Sequence, residues 1–224
     1  MDVGVDIKFC GLMRPEDARE AKALGAAFVG VIFAGGPRQL PPERAAQVLD
    51  AAGSVVQRVG VFGEAAPRAI AEIARTARLD IAQLHGDPSV DAVRDVRKAA
   101  GVAVWAVVRV VTGPTPERSF EMAARIEALE QAADALVLDA YVPGQLGGTG
   151  VTFDWSVIER MARRPRIRLV AAGGLNPTNV GAAIRALRPD VVDVSSGVER
   201  ERGVKDHVRM RAFVAAVRQT ESDS

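Results

Sequence analysis

Residues 56–84, VQRVGVFGEAAPRAIAEIARTARLDIAQL, carry the pattern that decides the fold. Two short apolar runs, at 56–62 and 81–84, have the nearly continuous apolar character of strands buried on both faces. The segment between them begins at Pro67 and repeats its apolar residues with helical spacing, at Ile70, Ile73, Ala74 and Ala77. The stretch therefore predicts a strand, a helix with one apolar face, and a second strand parallel to the first.

The same alternation runs through the whole chain of 224 residues. It predicts strands at 6–10, 28–33, 56–62, 81–84, 102–110, 135–139, 168–172 and 191–194. It predicts helices at 15–24, 42–51, 67–77, 89–99, 116–132, 155–163, 177–186 and 205–217. Eight such units predict an α/β protein with a single (β/α)8 barrel at residues 1–219 and a polar, frayed tail at 220–224. An open doubly wound sheet is the rival fold, but no G-x-G-x-x-G fingerprint follows the first strand.

Composition limits the classes of partner. The 29 basic and 28 acidic residues nearly balance, and they do not gather into the basic patch expected of a nucleic-acid-binding protein. The longest uninterrupted apolar run, at 102–108, is far shorter than the ~20 residues of a membrane-spanning helix. The single cysteine excludes an intramolecular disulfide and suits a reducing compartment. We expect a cytoplasmic protein with no membrane or nucleic-acid partner, more often a monomer than a dimer.

Chemically active side chains follow two of the predicted strands. Cys10 ends the first strand and is followed by Gly11, and Asp139 ends the sixth. Active sites of (β/α)8 barrels form at the carboxyl ends of the strands, so a thiol and a carboxyl are predicted at the same face. They would form an acid–base pair that needs no metal and no organic cofactor. Cys10 alone also fits a small buried apolar residue, and Asp139 alone fits a turn cap.

Two glycine- and serine-containing loops follow the last two strands. Barrel phosphate sites are commonly built from these loops, because residues without a Cβ let backbone N–H groups approach an anion. The predicted phosphate-binding residues are Gly173, Gly174, Ser195, Ser196 and Gly197. The alternative is that each loop only turns the chain.

Two further polar residues belong to the same predicted mouth. Arg38 lies in a Gly/Pro loop after the second strand, and a guanidinium can bind a carboxylate or a phosphate through two hydrogen bonds. His85 closes the fourth strand and fits either substrate binding or a structural role. No His, Cys and carboxylate residues have the spacing of metal ligands, so no metal site is predicted.

An ordered set of short motifs covers almost the whole chain and resembles the phosphoribosylanthranilate isomerase family of tryptophan biosynthesis. In order, the motifs are Lys8-Phe9-Cys10-Gly11, Pro37-Arg38, Val59-Gly60-Val61-Phe62, Gln83-Leu84-His85-Gly86, Leu138-Asp139, Gly147-Gly148-Thr149-Gly150 with Phe153-Asp154-Trp155, Gly173-Gly174-Leu175-Asn176-Pro177-Thr178-Asn179-Val180, Asp193-Val194-Ser195-Ser196-Gly197-Val198-Glu199 and Gly203-Val204-Lys205-Asp206. The sequence departs from the family pattern at Phe9, where many relatives have Ile, and at Gly36, where Ser is common. Neither departure removes a reacting group.

The resemblance implies an Amadori rearrangement of N-(5-phosphoribosyl)anthranilate to 1-(2-carboxyphenylamino)-1-deoxyribulose 5-phosphate. It implies that Asp139 is the general acid that opens the ribose ring, and that Cys10 is the general base that removes the C2 proton. It also implies that Arg38 holds the anthranilate carboxylate.

Three other functions remain as alternatives. One is a sugar-phosphate isomerase of histidine biosynthesis, or an enzyme that serves both pathways. Such enzymes are expected to use two aspartates, one of them at the end of the first strand, where this chain has Cys10. Indole-3-glycerol-phosphate synthase would need a lysine acid in the mouth, for which the sequence offers no convincing candidate. A catalytically silent phosphate-ligand-binding protein would not need the pair of Cys10 and Asp139.

Overall fold

A computed structural model describes residues 4–111, 116–141 and 166–222. Its centre is a closed barrel of eight parallel strands in which each strand pairs with the next along the chain and the last pairs with the first. The strands are β1 (Asp6–Phe9), β2 (Phe28–Ile32), β3 (Gln57–Phe62), β4 (Ile81–Leu84), β5 (Ala103–Val111), β6 (Ala135–Tyr141), β7 (Arg168–Ala172) and β8 (Val191–Val194). The predicted (β/α)8 barrel is therefore confirmed.

Seven α-helices lie within the described ranges. They are α1 (Pro15–Ala23), α2 (Pro42–Asp50), α3 (Pro67–Ala77), α4 (Val90–Ala100), α5 (Pro116–Leu129), α6 (Val180–Leu187) and α7 (His207–Ser222). Proline starts each of the first three helices, where its missing N–H costs no hydrogen bond. Helix α4 begins differently, because the Ser89 hydroxyl accepts a hydrogen bond from the Ala92 N–H at 3.1 Å.

The chain differs from the sequence prediction near its C-terminus. The helix predicted at 205–217 begins at His207 and continues to Ser222, so residues 220–222 are helical where a frayed tail was expected. Thr220 is buried there, and its hydroxyl donates to the Ala216 carbonyl at 2.8 Å. Ahead of this helix, β9 (Glu199–Glu201) and β10 (Val204–Lys205) form an antiparallel hairpin that was not predicted. The predicted helix at 155–163 and the glycines at 147–150 lie outside the described residues.

The interior of the barrel is filled by alternate residues of the strands. Phe28 on β2 and Trp105 on β5 meet edge to face, with ring centroids 5.0 Å apart, although their strands are not neighbours. They belong to a buried cluster with Val59, Ile81, Val107, Ala135, Val137, Val170, Ala172 and Val191. This apolar cluster fills the interior of the barrel.

A second, larger apolar core lies between the outer face of the barrel and the helices. Ile70 of α3, Val93 of α4 and Phe213 of α7 are among the side chains that pack into it. Each strand is thus covered on both faces, which explains its nearly continuous apolar sequence. Among the described helices, none is both long and apolar enough to span a membrane.

Candidate active site

Cys10 and Asp139 both lie at the carboxyl ends of barrel strands, as predicted. Cys10 directly follows β1, and its backbone N–H donates to the Val194 carbonyl of β8 at 2.9 Å. Asp139 lies in β6 beside Arg109 of β5, and that strand continues two residues beyond the predicted end, to Tyr141. The thiol is buried, and the Asp139 side chain keeps 25% of its surface exposed. The mouth therefore holds one group shielded from solvent and one within reach of it.

A buried ion pair joins these two groups. The Lys8 ammonium, with none of its side chain exposed, donates to Asp193 Oδ2 at 2.5 Å. The two residues are register partners on the neighbouring strands β1 and β8, so both side chains point into the barrel. Both Cys10 and Asp139 feel the charges of this pair. Lys8 and Asp193 thus contribute to the electrostatic environment of both Cys10 and Asp139.

Gly30 on β2 makes room for this arrangement. A Cβ added at Gly30 would lie 3.1 Å from the Cys10 sulfur and 3.3 Å from Lys8 Cε. The thiol and the stem of the lysine therefore lie on either side of the same small gap. A larger residue at this position would require the Cys10 sulfur and the Lys8 stem to shift.

Burial shifts the protonation of both predicted catalytic groups in the same direction. Burial raises the pKa of the Cys10 thiol, and the Lys8 ammonium offsets only part of that rise. Burial also raises the pKa of the Asp139 carboxyl; the His85 ring opposes this shift and the Asp193 carboxylate adds to it. For Lys8, burial alone would lower the pKa, but Asp193 and Cys10 together outweigh burial and raise it, so Lys8 stays charged. Asp139 is thus favoured as a proton donor, and Lys8 favours the thiolate form of Cys10.

His85 lies on the same side of the mouth as Asp139. Its Nε2 is 3.9 Å from Asp139 Oδ2, and 34% of its side chain is exposed. This distance is too long for a direct hydrogen bond between the His85 ring and the Asp139 carboxylate. The partly exposed ring can contact a ligand bound in the mouth.

Arg38 reaches the mouth from the loop after β2, but its guanidinium already has a protein partner. Its Nε and Nη2 donate to the two carboxylate oxygens of Glu199 at 2.8 and 2.6 Å. A Cβ added at Gly11 would come within 3.0 Å of both Arg38 Cδ and the Ser195 hydroxyl, so Arg38 borders the residue that follows Cys10. Arg38 is therefore at the mouth, as predicted, and is held there by an ion pair that the sequence did not reveal.

The two glycine-containing loops pack directly against each other. A Cβ added at Gly197 would lie only 1.9 Å from the Leu175 carbonyl oxygen, so no larger residue fits without moving one of the loops. Gly173 and Gly174 both have positive φ, at 90° and 64°. Ser196 and Gly197 open a short 3-10 helix that ends at Val198. The five predicted phosphate-binding residues thus lie in two loops that contact each other at the carboxyl ends of β7 and β8.

A separate cleft of about 630 Å³ lies between the starts of α3 and α4. Gly63, His85, Gly86 and Ser89 are among its lining residues, whereas Cys10, Arg38 and Asp139 are not. Among the described residues, no three His, Cys, Asp or Glu side chains come together in a way that could hold a metal ion.

Several polar residues of the mouth were given no role by the sequence reasoning. Asp193, Glu199 and Lys205 are charged residues in otherwise apolar or loop segments, and all are buried. The Asp193 Oδ1 and Gln83 Oε1 atoms are buried and have no hydrogen-bond donor within the described part of the chain. The charge at the third position of the strand Val191–Val194 is the signal that could have identified Asp193, because an unpaired charge is not tolerated in a barrel interior.

One protein family and its members match this chain over almost its whole length. Residues 7–216 match the family described as N-(5'-phosphoribosyl)anthranilate (PRA) isomerase. An N-(5'-phosphoribosyl)anthranilate isomerase from Pseudomonas aeruginosa (strain LESB58) is 40% identical over 220 residues, which is 98% of each chain.

Solved structures give the same result. The phosphoribosyl anthranilate isomerase of Thermotoga maritima superposes with a TM-score of 0.84 at 34% identity, covering 96% of this chain and 99% of that one. A second isomerase structure, at 32% identity and a TM-score of 0.79 with the same coverage, is a complex with reduced 1-(o-carboxyphenylamino)-1-deoxyribulose 5-phosphate.

Proposed function

The chain belongs to the N-(5'-phosphoribosyl)anthranilate isomerase family of tryptophan biosynthesis, and from this premise we propose that Asp139 is the general acid and Cys10 the general base of its reaction. The reaction is an Amadori rearrangement of an aminosugar to an aminoketose. It needs one proton delivered to the ribose ring oxygen and one proton removed from C2. The mouth of the barrel holds one group suited to each step.

Asp139 carries out the first step. Its carboxyl gives a proton to the ring oxygen while the C1–O bond breaks, and the electron pair of the anthranilate nitrogen forms the C1=N bond of a Schiff base. The raised pKa of Asp139, caused by burial, keeps the carboxyl protonated to a higher pH than in water. Its partly exposed position leaves the proton within reach of a ligand in the mouth.

Cys10 carries out the second step. Its thiolate takes the proton from C2, and the electrons of the C2–H bond move to form a C1=C2 double bond as the C1=N electrons return to nitrogen. The resulting enolamine tautomerises to the ketone. The Lys8 ammonium stabilises the thiolate, because it is the largest influence that opposes the effect of burial on the pKa of Cys10.

The two ends of the substrate are anionic, and the mouth offers a site for each. The compound bound by the solved relative has a carboxyphenyl group at one end and a phosphate at the other. Arg38 suits the carboxylate, and the loops with Gly173, Gly174 and 195–197 suit the phosphate. His85 lies beside Asp139 and is the remaining substrate-binding residue of the proposal.

The observation that carries this assignment is the shared environment of Cys10 and Asp139. Both groups are influenced by the same ion pair, Lys8 with Asp193, at the carboxyl end of the barrel. A fluorescence assay that follows the loss of phosphoribosylanthranilate tests the activity, with purified protein and no added metal. We expect turnover that a chelator does not change. Loss of activity with EDTA that a divalent ion restores would contradict a mechanism carried by these two side chains alone.

Two further expectations remain proposals. A cytoplasmic location suits an enzyme with a single reduced cysteine, and cell fractionation followed by detection of the protein tests it. A monomer is the proposed state, and sedimentation over a range of protein concentrations distinguishes it from a dimer.

A further inference from the structure

The bond between Arg38 and Glu199 uses only one edge of the guanidinium. Nε and Nη2 together form the side edge of the group, and both donate to Glu199. A guanidinium has five N–H donors in a fixed plane, so the outer edge made by Nη1 and the second hydrogen of Nη2 can still face another acceptor. One guanidinium can thus bridge two carboxylates, one from the protein and one from a ligand.

Glu199 is itself held by a second cation. The Lys205 ammonium, fully buried, donates to Glu199 Oε1 at 3.0 Å and to the Ser195 backbone carbonyl at 3.0 Å. Burial lowers the pKa of Lys205. Burial would raise the pKa of Glu199, but hydrogen bonds from Arg38 and Lys205 outweigh it and lower that pKa, so Glu199 stays ionised. We call Arg38, Glu199 and Lys205 the carboxylate-bridged triad.

The triad links the loop after β2 to the loop after β8. Arg38 lies at the end proposed to bind the carboxylate, and Ser195 opens the loop proposed to bind the phosphate. The loop that carries Arg38 contains Gly35 and Gly36, both with positive φ and with no neighbouring atom that a Cβ would meet. The glycine segment that precedes Arg38 does not fix the position of its side chain. Glu199 fixes it through two hydrogen bonds.

We propose that Glu199, balanced by Lys205, is a positioning residue that holds the outer edge of the Arg38 guanidinium in place for the substrate carboxylate. This inference rests on the proposed function, in which Arg38 binds that carboxylate. Glu199 does not touch the reacting atoms, so it sets the affinity for substrate and leaves the proton-transfer steps unchanged.

The test is the steady-state kinetics of Glu199→Gln. The amide keeps the shape of the side chain but puts an N–H donor where Arg38 or Lys205 needs an acceptor. We expect KM to rise by about tenfold, the lower end of what loss of a hydrogen bond to a charged group produces, with kcat within about twofold of the parent. Glu201→Gln is the matched control, because Glu201 lies on the same short strand with its side chain exposed, and it should leave both constants unchanged.

Glu199→Gln leaves Lys205 buried without its counter-charge, which can impair folding. The double variant Glu199→Gln/Lys205→Gln removes both charges and keeps the test decisive. It should fold, as shown by circular dichroism, and should still have a KM about tenfold above that of the parent. A folded variant of either kind with an unchanged or lower KM, or with a loss confined to kcat, would overturn the positioning role.

Arg38→Ala separates this inference from the proposed function. If Glu199 acts through Arg38, Glu199→Gln should raise KM in the parent and change it by less than about twofold in the Arg38→Ala background. An equal rise in both backgrounds overturns the inference and leaves the role of Arg38 standing. An Arg38→Ala variant with unchanged KM removes the carboxylate-binding role of Arg38 from the proposed function, and the positioning role with it.

Discussion

At the scale of single residues, the mouth is organised by burial of charge. Cys10 is buried and Asp139 is partly buried, and burial raises the pKa of each. The proposed mechanism requires the Cys10 thiol without its proton and the Asp139 carboxyl with it. Such a pair is active only in a window of pH, because raising the pH creates the base and destroys the acid.

The signs of the two shifts predict the pH profile of kcat/KM. In a bell-shaped profile the lower pKa sets the rising limb and the higher pKa sets the falling limb. When the pKa of the base lies above that of the acid, the rising limb therefore reports the pKa of Asp139 and the falling limb reports the pKa of Cys10. We expect the rising limb above the ordinary carboxyl range of about 4 and the falling limb above the ordinary thiol value of 9.0.

A spectroscopic titration checks the assignment of the falling limb. Since Cys10 is the only cysteine, thiolate absorbance measured against Cys10→Ser as a blank reports this residue alone. Its midpoint should match the falling limb. A midpoint at or below the ordinary thiol value would mean that Lys8 outweighs burial, contrary to the shift described for Cys10.

The residues of the site differ in how far the sequence could reveal them. Cys10 and Asp139 were predicted because each ends an apolar run at the expected functional face of the barrel. Glu199 and Lys205 occur in the sequence motifs, but no role was predicted for them. Their proposed role depends on the ion pair of Glu199 with Arg38, which lies 161 residues away along the chain. No local pattern encodes a contact of that kind.

At the scale of elements, the proposed phosphate site depends on the close contact of the loops after β7 and β8. Gly197 is the point of contact, since any side chain there would meet the Leu175 carbonyl. The hairpin of β9 and β10 follows directly and brings Lys205 back to Glu199 and Ser195. The sequence predicted a helix at Lys205, because strands of three and two residues are too short to show an alternating pattern.

Gly197→Ala should therefore weaken binding of phosphate without removing the catalytic pair. The added methyl group forces one loop away and spoils the alignment of the backbone N–H groups. We expect the inhibition constant of inorganic phosphate, measured as a competitive inhibitor, to rise by about tenfold or more, consistent with loss of one or two hydrogen bonds to a charged group.

Gly63→Ala is a suitable control for that experiment, because a Cβ there makes only ordinary contacts, the nearest at 3.5 Å. The inhibition constant of phosphate for this control should equal that for the parent. Unchanged inhibition by phosphate in a folded Gly197→Ala protein would place the anion elsewhere.

At the scale of the whole molecule, a cluster of buried apolar side chains fills the interior of the barrel. Trp105 is 2% exposed and meets Phe28 across the barrel. Loss of a large buried aromatic side chain typically costs about 3–5 kcal/mol. We expect Trp105→Ala to lower the free energy of unfolding by that amount, measured by urea denaturation.

Val55→Ala provides the comparison, because Val55 is 86% exposed. It should change the free energy of unfolding by no more than about 0.5 kcal/mol. A cost for Trp105→Ala as small as that of Val55→Ala would mean that the barrel interior does not stabilise the fold.

The architecture was predictable from the sequence to a greater extent than the site. Strand and helix periods are local, and eight repetitions of the pattern in residues 56–84 left little choice of fold. Helix ends were less predictable. Helix α7 includes the polar residues 219–222, and Thr220 is buried there. Burial against the rest of the fold is a tertiary effect that composition does not report.

The central claim is that Cys10 removes the C2 proton, and the kcat of Cys10→Ser tests it most directly. Serine keeps the size and shape of the side chain, but its hydroxyl does not ionise usefully near neutral pH, so the base is lost while the fold and the binding of substrate remain. We expect a kcat at least ~10²–10⁴-fold below that of the parent with a nearly unchanged KM. A Cys10→Ser enzyme that turns over at close to the parental rate would contradict it and leave Asp139 to carry both proton transfers.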